Sequence, residues 1–284
     1  MNHLLCFGFG FTARHLAKLL PRDQWRISGT TRSREGLADM AVQNVEGFIF
    51  EEMQTIPASV THILASIPPA EKGDPVVLKF AGQLTRPFPW LAYLSTTGVY
   101  GDRQGGWVDE DSELNPTSDR ARRRILAEQQ WQPFKAHVFR LPGIYGPARS
   151  QLDAVRDGTA RRIVKPGQIF SRIHVEDIAG ILAASIARPN PGRIYNVADD
   201  EACPPQDVVA YAAHLLGLPP PPEMPFDKAN LSTMARSFYD DSKRVSNTRI
   251  KQELGYALKY PNYRVGLRAL LPSTRHPREG GDPA

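Results

Sequence analysis

An α/β fold, a doubly wound parallel Rossmann sheet with a small C-terminal substrate lobe, is predicted by three features of this 284-residue chain. The chain opens on a short apolar strand followed at once by a glycine turn and an amphipathic stretch. Apolar strand-like runs then alternate with helix-like segments through the first half. Past Pro142 the alternation becomes irregular, which marks the second lobe.

The first strand, Leu4 to Phe7, runs into Gly8-Phe9-Gly10-Phe11-Thr12-Ala13. Gly8 permits a tight turn, Gly10 lets the backbone approach a pyrophosphate, and Ala13 lets the following helix pack against its strand. That helix, with Leu16, Leu19 and Leu20, would offer its N-terminal N–H groups to phosphate. The alternative is a purely structural glycine turn. Trp25 to Thr30 reads as the second strand, Val45 to Phe50 as the third, and His62 to Ile67 as the fourth, stopped by Pro68-Pro69. Leu91 to Ser95 is the fifth and His137 to Leu141 the sixth, with helices over 76–84 and 121–130 between them. In the second half, His174 to Ala187 reads as a turn feeding a helix and Arg193 to Val197 as another strand. Asp207 to Leu216 reads as a helix ended by Gly217, Pro219 to Pro222 as a stiff loop, and 247–254 and 262–271 as closing helices. The dinucleotide-binding domain is expected over 1–141 and about 174–200, and the substrate lobe over 142–173 and 201–271. A disordered tail is expected over 272–284, where prolines, glycines and charges show no apolar period.

Composition narrows the function. A hydrophobic fraction of 41% with 23% charged residues suits a globular chain, and no apolar run approaches the roughly 20 residues of a membrane span. Two glycines interrupt the N-terminal apolar run, so no signal peptide is expected there. With Cys6 and Cys203 alone, neither a disulfide framework nor a cysteine metal site is expected, and a cytoplasmic setting fits. No histidine or carboxylate spacing suggests a metal. The net charge of +5 reads as a solvated basic surface or as attraction for an anionic ligand. Nucleic acid is not expected, because no basic segment is interleaved with aromatics.

The end of the second strand, Gly29-Thr30-Thr31-Arg32-Ser33-Arg34, lacks the acid that would accept hydrogen bonds from an adenosine ribose. Thr31, Arg32 and Ser33 suit a 2′-phosphate instead, which favours NADP(H) over NAD(H). A polar turn with solvated arginines is the alternative. Further landmarks follow in order: Leu94-Ser95-Thr96-Thr97-Gly98-Val99-Tyr100-Gly101, Arg140-Leu141-Pro142-Gly143-Ile144-Tyr145-Gly146-Pro147, Ile173-His174-Val175-Glu176-Asp177-Ile178-Ala179 and Tyr195-Asn196-Val197-Ala198-Asp199. With the N-terminal turn, these make residues 3–271 resemble the extended short-chain dehydrogenase/reductase superfamily, in its NAD-dependent epimerase/dehydratase group. The resemblance implies cofactor contacts at Gly8, Phe9, Gly10, Phe11, Thr12, Ala13, Ser66, Pro142, Gly143 and Ile144. It implies that Thr96 holds the substrate oxygen, and it implies a homodimer.

One departure stands out. Redox members carry YxxxK, the lysine followed four residues later by Glu. With Glu128 as register, Arg124 falls at the lysine position and Arg120 at the tyrosine position. Arginine is always protonated and cannot replace a tyrosinate. The chain therefore resembles atypical members without the dyad. Arg124 would hold ribose or pyrophosphate, and Arg120 would orient an anionic substrate, unless both are exposed helix charges. Tyr100, Tyr145 and His174 are the remaining proton-exchanging candidates, Tyr100 being placed with Thr96 and Arg120 as the catalytic set. Lys243 and Arg244 add positive charge near a substrate or lie on an ordinary surface strand. The expected function is an oxidoreductase acting on a small anionic carbonyl or alcohol compound, with weak catalysis. The rivals are a non-catalytic NADP(H) sensor or scaffold and a nucleotide-sugar epimerase or dehydratase.

Overall fold

The computed structural model describes residues 1–272, so that the expected tail, Pro272 apart, lies outside the described residues. The strands run β1 (Asn2–Phe7), β2 (Trp25–Thr31), β3 (Glu46–Ile49), β4 (His62–Ala65), β5 (Trp90–Thr96), β6 (Trp107–Val108), β7 (His137–Leu141), β8 (Gly143–Tyr145), β9 (Arg162–Val164), β10 (Arg172–His174), β11 (Ile194–Asn196), β12 (Glu223–Pro225) and β13 (Arg244–Val245). Seven of them form one sheet in the order β11-β7-β5-β4-β1-β2-β3, every pair parallel. All seven were legible as apolar runs, because a parallel sheet covered on both faces leaves no polar side to its strands. Leu4, Leu5, Cys6 and Phe7 are accordingly all fully buried.

The chain winds outward from β1 in both directions, first to β2 and β3, then across to β4 and beyond. Ligands bind beyond the carboxyl ends of the strands where that direction reverses. One face is covered by α1 (Phe11–Leu19) and α6 (Val175–Ala187), whose Leu16, Ala17, Ile178 and Leu182 join Leu4, Cys6 and Leu64 in one core. Between them in sequence lie α2 (Arg34–Val42), α3 (Pro75–Leu84), α4 (Asp119–Trp131) and α5 (Gln151–Arg156). The other face carries α3 and α4, where Phe80 and Trp131 pack on Leu5, Phe7 and Tyr93. Each of these helices starts where the residue types dictate: Ser118 caps α4, and Asp74 followed by Pro75 starts α3.

The smaller lobe has its own core, made by α5, by α7 (Pro205–Leu215) and by the last helix, Tyr263–Ala269. Three two-stranded parallel pairs accompany it, β8–β10, β9–β12 and β6–β13, the last joining residues 107–108 to 244–245. Of these short pairs only β13, around Arg244, was read as a strand from sequence, since two or three residues carry no period. The closing helices are shorter than expected, Thr248–Glu253 and Tyr263–Ala269, because Gly255 takes a left-handed φ of 66° after the first.

Candidate active site

The turn after β1 is built around Gly8, whose φ of 90° is left-handed and whose added Cβ would stand 2.9 Å from the Ser66 hydroxyl. Its amide donates to Thr30 Oγ1 at 2.9 Å, and the Phe9 amide donates to the Thr30 carbonyl at 3.0 Å. From the far side Ser66 Oγ donates to the Gly8 carbonyl at 2.8 Å. The turn is thus pinned between the ends of β2 and β4. Phe9 contributes backbone only, for its ring is buried against Gly29. Thr12 and Ala13 are likewise buried on the inner face of α1.

Gly10 caps α1 without any side-chain hydrogen bond, and no acid stands in the first turn. Nothing lies within 4 Å of where a Cβ on Gly10 would be. The first amides of α1 therefore face open space with a positive dipole behind them, a cradle that fits pyrophosphate oxygens. Beside it, Ser33 spends its hydroxyl capping α2 by accepting from the Gly36 amide at 3.3 Å. Thr31 ends β2 half-buried, while Arg32 is exposed next to it. Arg14 lies on the same side, within 3.6 Å of Asp39 and with its guanidinium 5.8 Å from the Phe9 ring centre.

A cavity of about 390 Å³ opens where β5, β8 and β10 meet the small lobe. Thr96, Arg120, Pro142, Gly143 and Ile144 all line it, so tertiary structure brings these five expected site residues together. Thr96 Oγ1 accepts from the Gly98 amide at 3.2 Å, which fixes the hydroxyl at the cavity edge. Arg120 is exposed at the mouth, stacked 4.8 Å from the Phe238 ring centre. Arg124 is turned inward: Nη1 donates to the Tyr93 hydroxyl at 2.9 Å and to the Leu94 carbonyl at 2.8 Å. It is thereby anchored at the carboxyl end of β5 but does not line the cavity.

Tyr100 lies elsewhere. Fully buried, it donates to Asn196 Oδ1 at 2.7 Å and accepts from Arg140 Nη1 at 2.9 Å. Burial pushes its phenol up, against the opposing charge of Arg140. Arg140 in turn holds Glu128 through two nitrogens, and Glu128 accepts from Ser95. Glu128, read from sequence as a register mark on a helix, is thus one half of a buried ion pair beneath β5 and β7. Tyr145 faces a second cavity of about 580 Å³ that shares Gly143, Ile144, Arg149, Phe170 and Arg172 with the first. Its hydroxyl is buried, and burial pushes it well above the ordinary phenol range. His174 caps α6 by accepting from the Glu176 amide at 3.2 Å, and burial pushes it down to about 4. The neighbouring Asp177 accepts from the amides of Lys259 and Tyr260 and from the Tyr256 hydroxyl, clamping the closing segment to α6.

Two cationic residues of the first cavity, Arg149 and Arg172, escaped sequence reading. Arg149 stacks 5.5 Å from the Phe11 ring centre and so links the glycine turn to the cavity. Arg172 Nη1 reaches Cys203 Sγ at 2.7 Å, across the bridge between Phe170 and Cys203. Neither sits in a motif; only its position beside the quoted landmarks could have drawn attention. Among the described residues no group of three or more histidine, cysteine, aspartate or glutamate side chains could hold a metal ion, and no helix is long and apolar enough to cross a membrane.

Comparison with known proteins gives three findings of use. A solved structure described as a functionally unknown conserved protein from Silicibacter pomeroyi DSS is 54% identical, with a TM-score of 0.92 over 95% of this chain and 98% of its own. The curated protein YeeZ of Escherichia coli K12 is 24% identical over 92% of this chain and 97% of its own. Human epimerase family protein SDR39U1, solved with NADPH, is 16% identical with a TM-score of 0.72 over 95% of this chain and 99% of its own. No family model matches.

Proposed function

Since this chain belongs to one family with the conserved Silicibacter pomeroyi protein and has the extended short-chain dehydrogenase/reductase fold of the epimerase/dehydratase group, we propose that it is an NADP(H)-dependent oxidoreductase of a small anionic carbonyl or alcohol compound. The observation that carries this reading is the placing of an uncapped, acid-free α1 N-terminus beside a cavity lined by Arg120, Arg149, Arg172 and Lys243. Among the described residues the single acid lining that cavity, Asp241, is held by Lys243 at 3.1 Å. The balance is therefore cationic and suits a carboxylate or phosphate on the substrate.

In this reading the turn from Gly8 to Ala13 receives the pyrophosphate, with Ser66 steadying it. Thr31, Arg32 and Ser33 take the adenosine 2′-phosphate, Arg32 as the exposed cation that needs no rearrangement. Pro142, Gly143 and Ile144 line the nicotinamide side, and Arg124 supports the ribose from its anchor on Leu94. The cofactor, when bound, supplies or accepts a hydride. Thr96 hydrogen-bonds the reacting oxygen, while Arg120 and Arg172 orient the anionic group. SDR39U1 solved with NADPH supports the choice of cofactor by fold alone.

Titration of the purified protein with NADPH, NADP⁺, NADH and NAD⁺, repeated with Arg32→Ala, tests this. NADPH is expected to bind more tightly than NADH, and the variant to lose about 10-fold for NADPH only, the worth of one charged hydrogen bond. Equal loss for NADH would remove Arg32 from the 2′-phosphate site, and binding of none of the four would overturn the reading. A second reading, a sensor that binds the cofactor without turnover, is favoured by one observation: among the described residues no tyrosine lines the first cavity. Product formed from any small 2-oxo acid would count against it.

A further inference from the structure

Carbonyl reduction needs a proton at oxygen as well as a hydride at carbon, and the cavity holds few groups able to give one. Arg120, Arg149 and Arg172 keep their protons at any pH the protein survives. The hydroxyls of Thr96, Thr97, Ser118, Ser171 and Ser237 can donate a hydrogen bond to a substrate oxygen, but alcohols are far too weak as acids to give up the proton. Both oxygens of Asp241 already accept, Oδ1 from the Thr117 hydroxyl at 2.6 Å and Oδ2 from Lys243 at 3.1 Å. That leaves Lys243 among the lining residues.

Lys243 is buried, unusual for an unbranched cation. Its Nζ donates to the Gly101 carbonyl at 2.7 Å and to Asp241 Oδ2 at 3.1 Å. An ammonium has three N–H donors, and these two bonds leave one over. The β6–β13 pair holds the residue in place: the Arg244 amide donates to the Gly106 carbonyl at 2.9 Å, and the Ser242 amide donates to Asp102 Oδ1 at 2.8 Å. The anchor on Gly101 sets Nζ at the end of the same turn that begins with Thr96 and Thr97.

We infer that Lys243 is the proton donor of this cavity, its third N–H directed at the substrate oxygen that Thr96 also holds. The inference rests on the oxidoreductase reading. The substrate carbon takes a hydride from the reduced nicotinamide cofactor, and the C=O π pair moves to oxygen. The Nζ–H bond breaks as the O–H bond forms, its electron pair remaining on nitrogen. The neutral amine then takes a proton back from solvent. Charges around Nζ suit that cycle: burial and Arg103 favour the neutral amine, while Asp241 and Asp102 favour the ammonium, with burial prevailing. Arg120, Arg149 and Arg172 add further positive charge in the cavity, and Arg244 turns away to the Gly105 carbonyl.

Two measurements on the full chain test this. In the first, wild-type protein without cofactor is treated with trace trinitrobenzenesulfonate from pH 6 to pH 10, and labelled lysines are mapped by peptide mass spectrometry. Lys243 is expected to label with a midpoint at lower pH than exposed Lys18 and Lys228, the direction burial imposes. Labelling of Lys243 only after denaturation, or at the same pH as the exposed lysines, overturns the inference. In the second, NADPH-dependent reduction of a panel of 2-oxo acids is followed for wild type, Lys243→Arg and Lys243→Met. Lys243→Arg keeps the charge but not the removable proton, so kcat should fall roughly 100-fold with KM within about three-fold. Wild-type kcat should also decline as pH rises through the Lys243 midpoint found by labelling. Wild-type kcat in Lys243→Arg overturns the inference. No reduction of the panel by wild type, with Lys243 labelled at low pH, overturns the redox reading while supporting Lys243 as the titrating group of the cavity.

Discussion

Glu128 and Arg140 meet at 2.7 Å with both side chains almost wholly buried. Such a pair adds little against an apolar substitute, but removing one member strands a charge in low dielectric. Glu128→Gln is expected to cost about 3–5 kcal/mol in urea unfolding, and the double variant Glu128→Gln/Arg140→Met to recover most of it. A loss below about 1 kcal/mol in the single variant would mean that water reaches the pair. His62 illustrates a different cost. Burial beside the Trp25 ring, 4.7 Å between centres, pushes it down to about 4. Between that value and the ordinary 6.5 the unfolded chain holds the extra proton, so stability present above pH 6.5 is lost as pH falls toward 4. His62→Gln removes this contribution. The stability of wild type minus variant should therefore shrink steadily between pH 6.5 and pH 4 in denaturant melts, and a constant difference would refute the assignment.

At the scale of elements, the helices show where local chemistry suffices. Asp74 is fully buried and accepts from the Val76 and Val77 amides at 2.9 and 3.2 Å, with Pro75 already fixed for a helix. Asp74→Ala is expected to lower stability by about 2 kcal/mol, the upper end for a cap, because two amides lose a buried acceptor. Asp74→Asn should lose less than half as much by thermal unfolding. Helix α4 shows where local chemistry stops. Its extent was legible within two residues at its start and one at its end, yet the roles of its arginines were not. Arg120 and Arg124 lie one turn apart, and both were assigned to the ligand. Arg120 does reach the cavity, whereas Arg124 turns to the β5 backbone because the Tyr93 hydroxyl and Leu94 carbonyl lie beneath it. Residue spacing gives the face of a helix, not the acceptors that the neighbouring strand supplies.

At the scale of the molecule, the parallel sheet places the glycine turn of β1 and the strand ends of β4 and β5 along one edge, and the small lobe closes over it. The sequence by itself determined the sheet, the glycine turn and the polar end of β2. Each of these is a local consequence: continuous apolar runs for doubly covered strands, Gly8 for a left-handed φ, and the absence of an acid after Thr30. Tertiary structure alone decided which charged and phenolic groups share the cavity. Tyr100 left the list because a buried network with Arg140 and Asn196 satisfied its hydroxyl. Lys243 lines the cavity because residues 142 positions apart meet at the Gly101 carbonyl. The physical reason is range: φ/ψ preference and hydrophobic period act over a few residues, whereas desolvation and hydrogen-bond satisfaction depend on whatever the completed fold packs against each side chain.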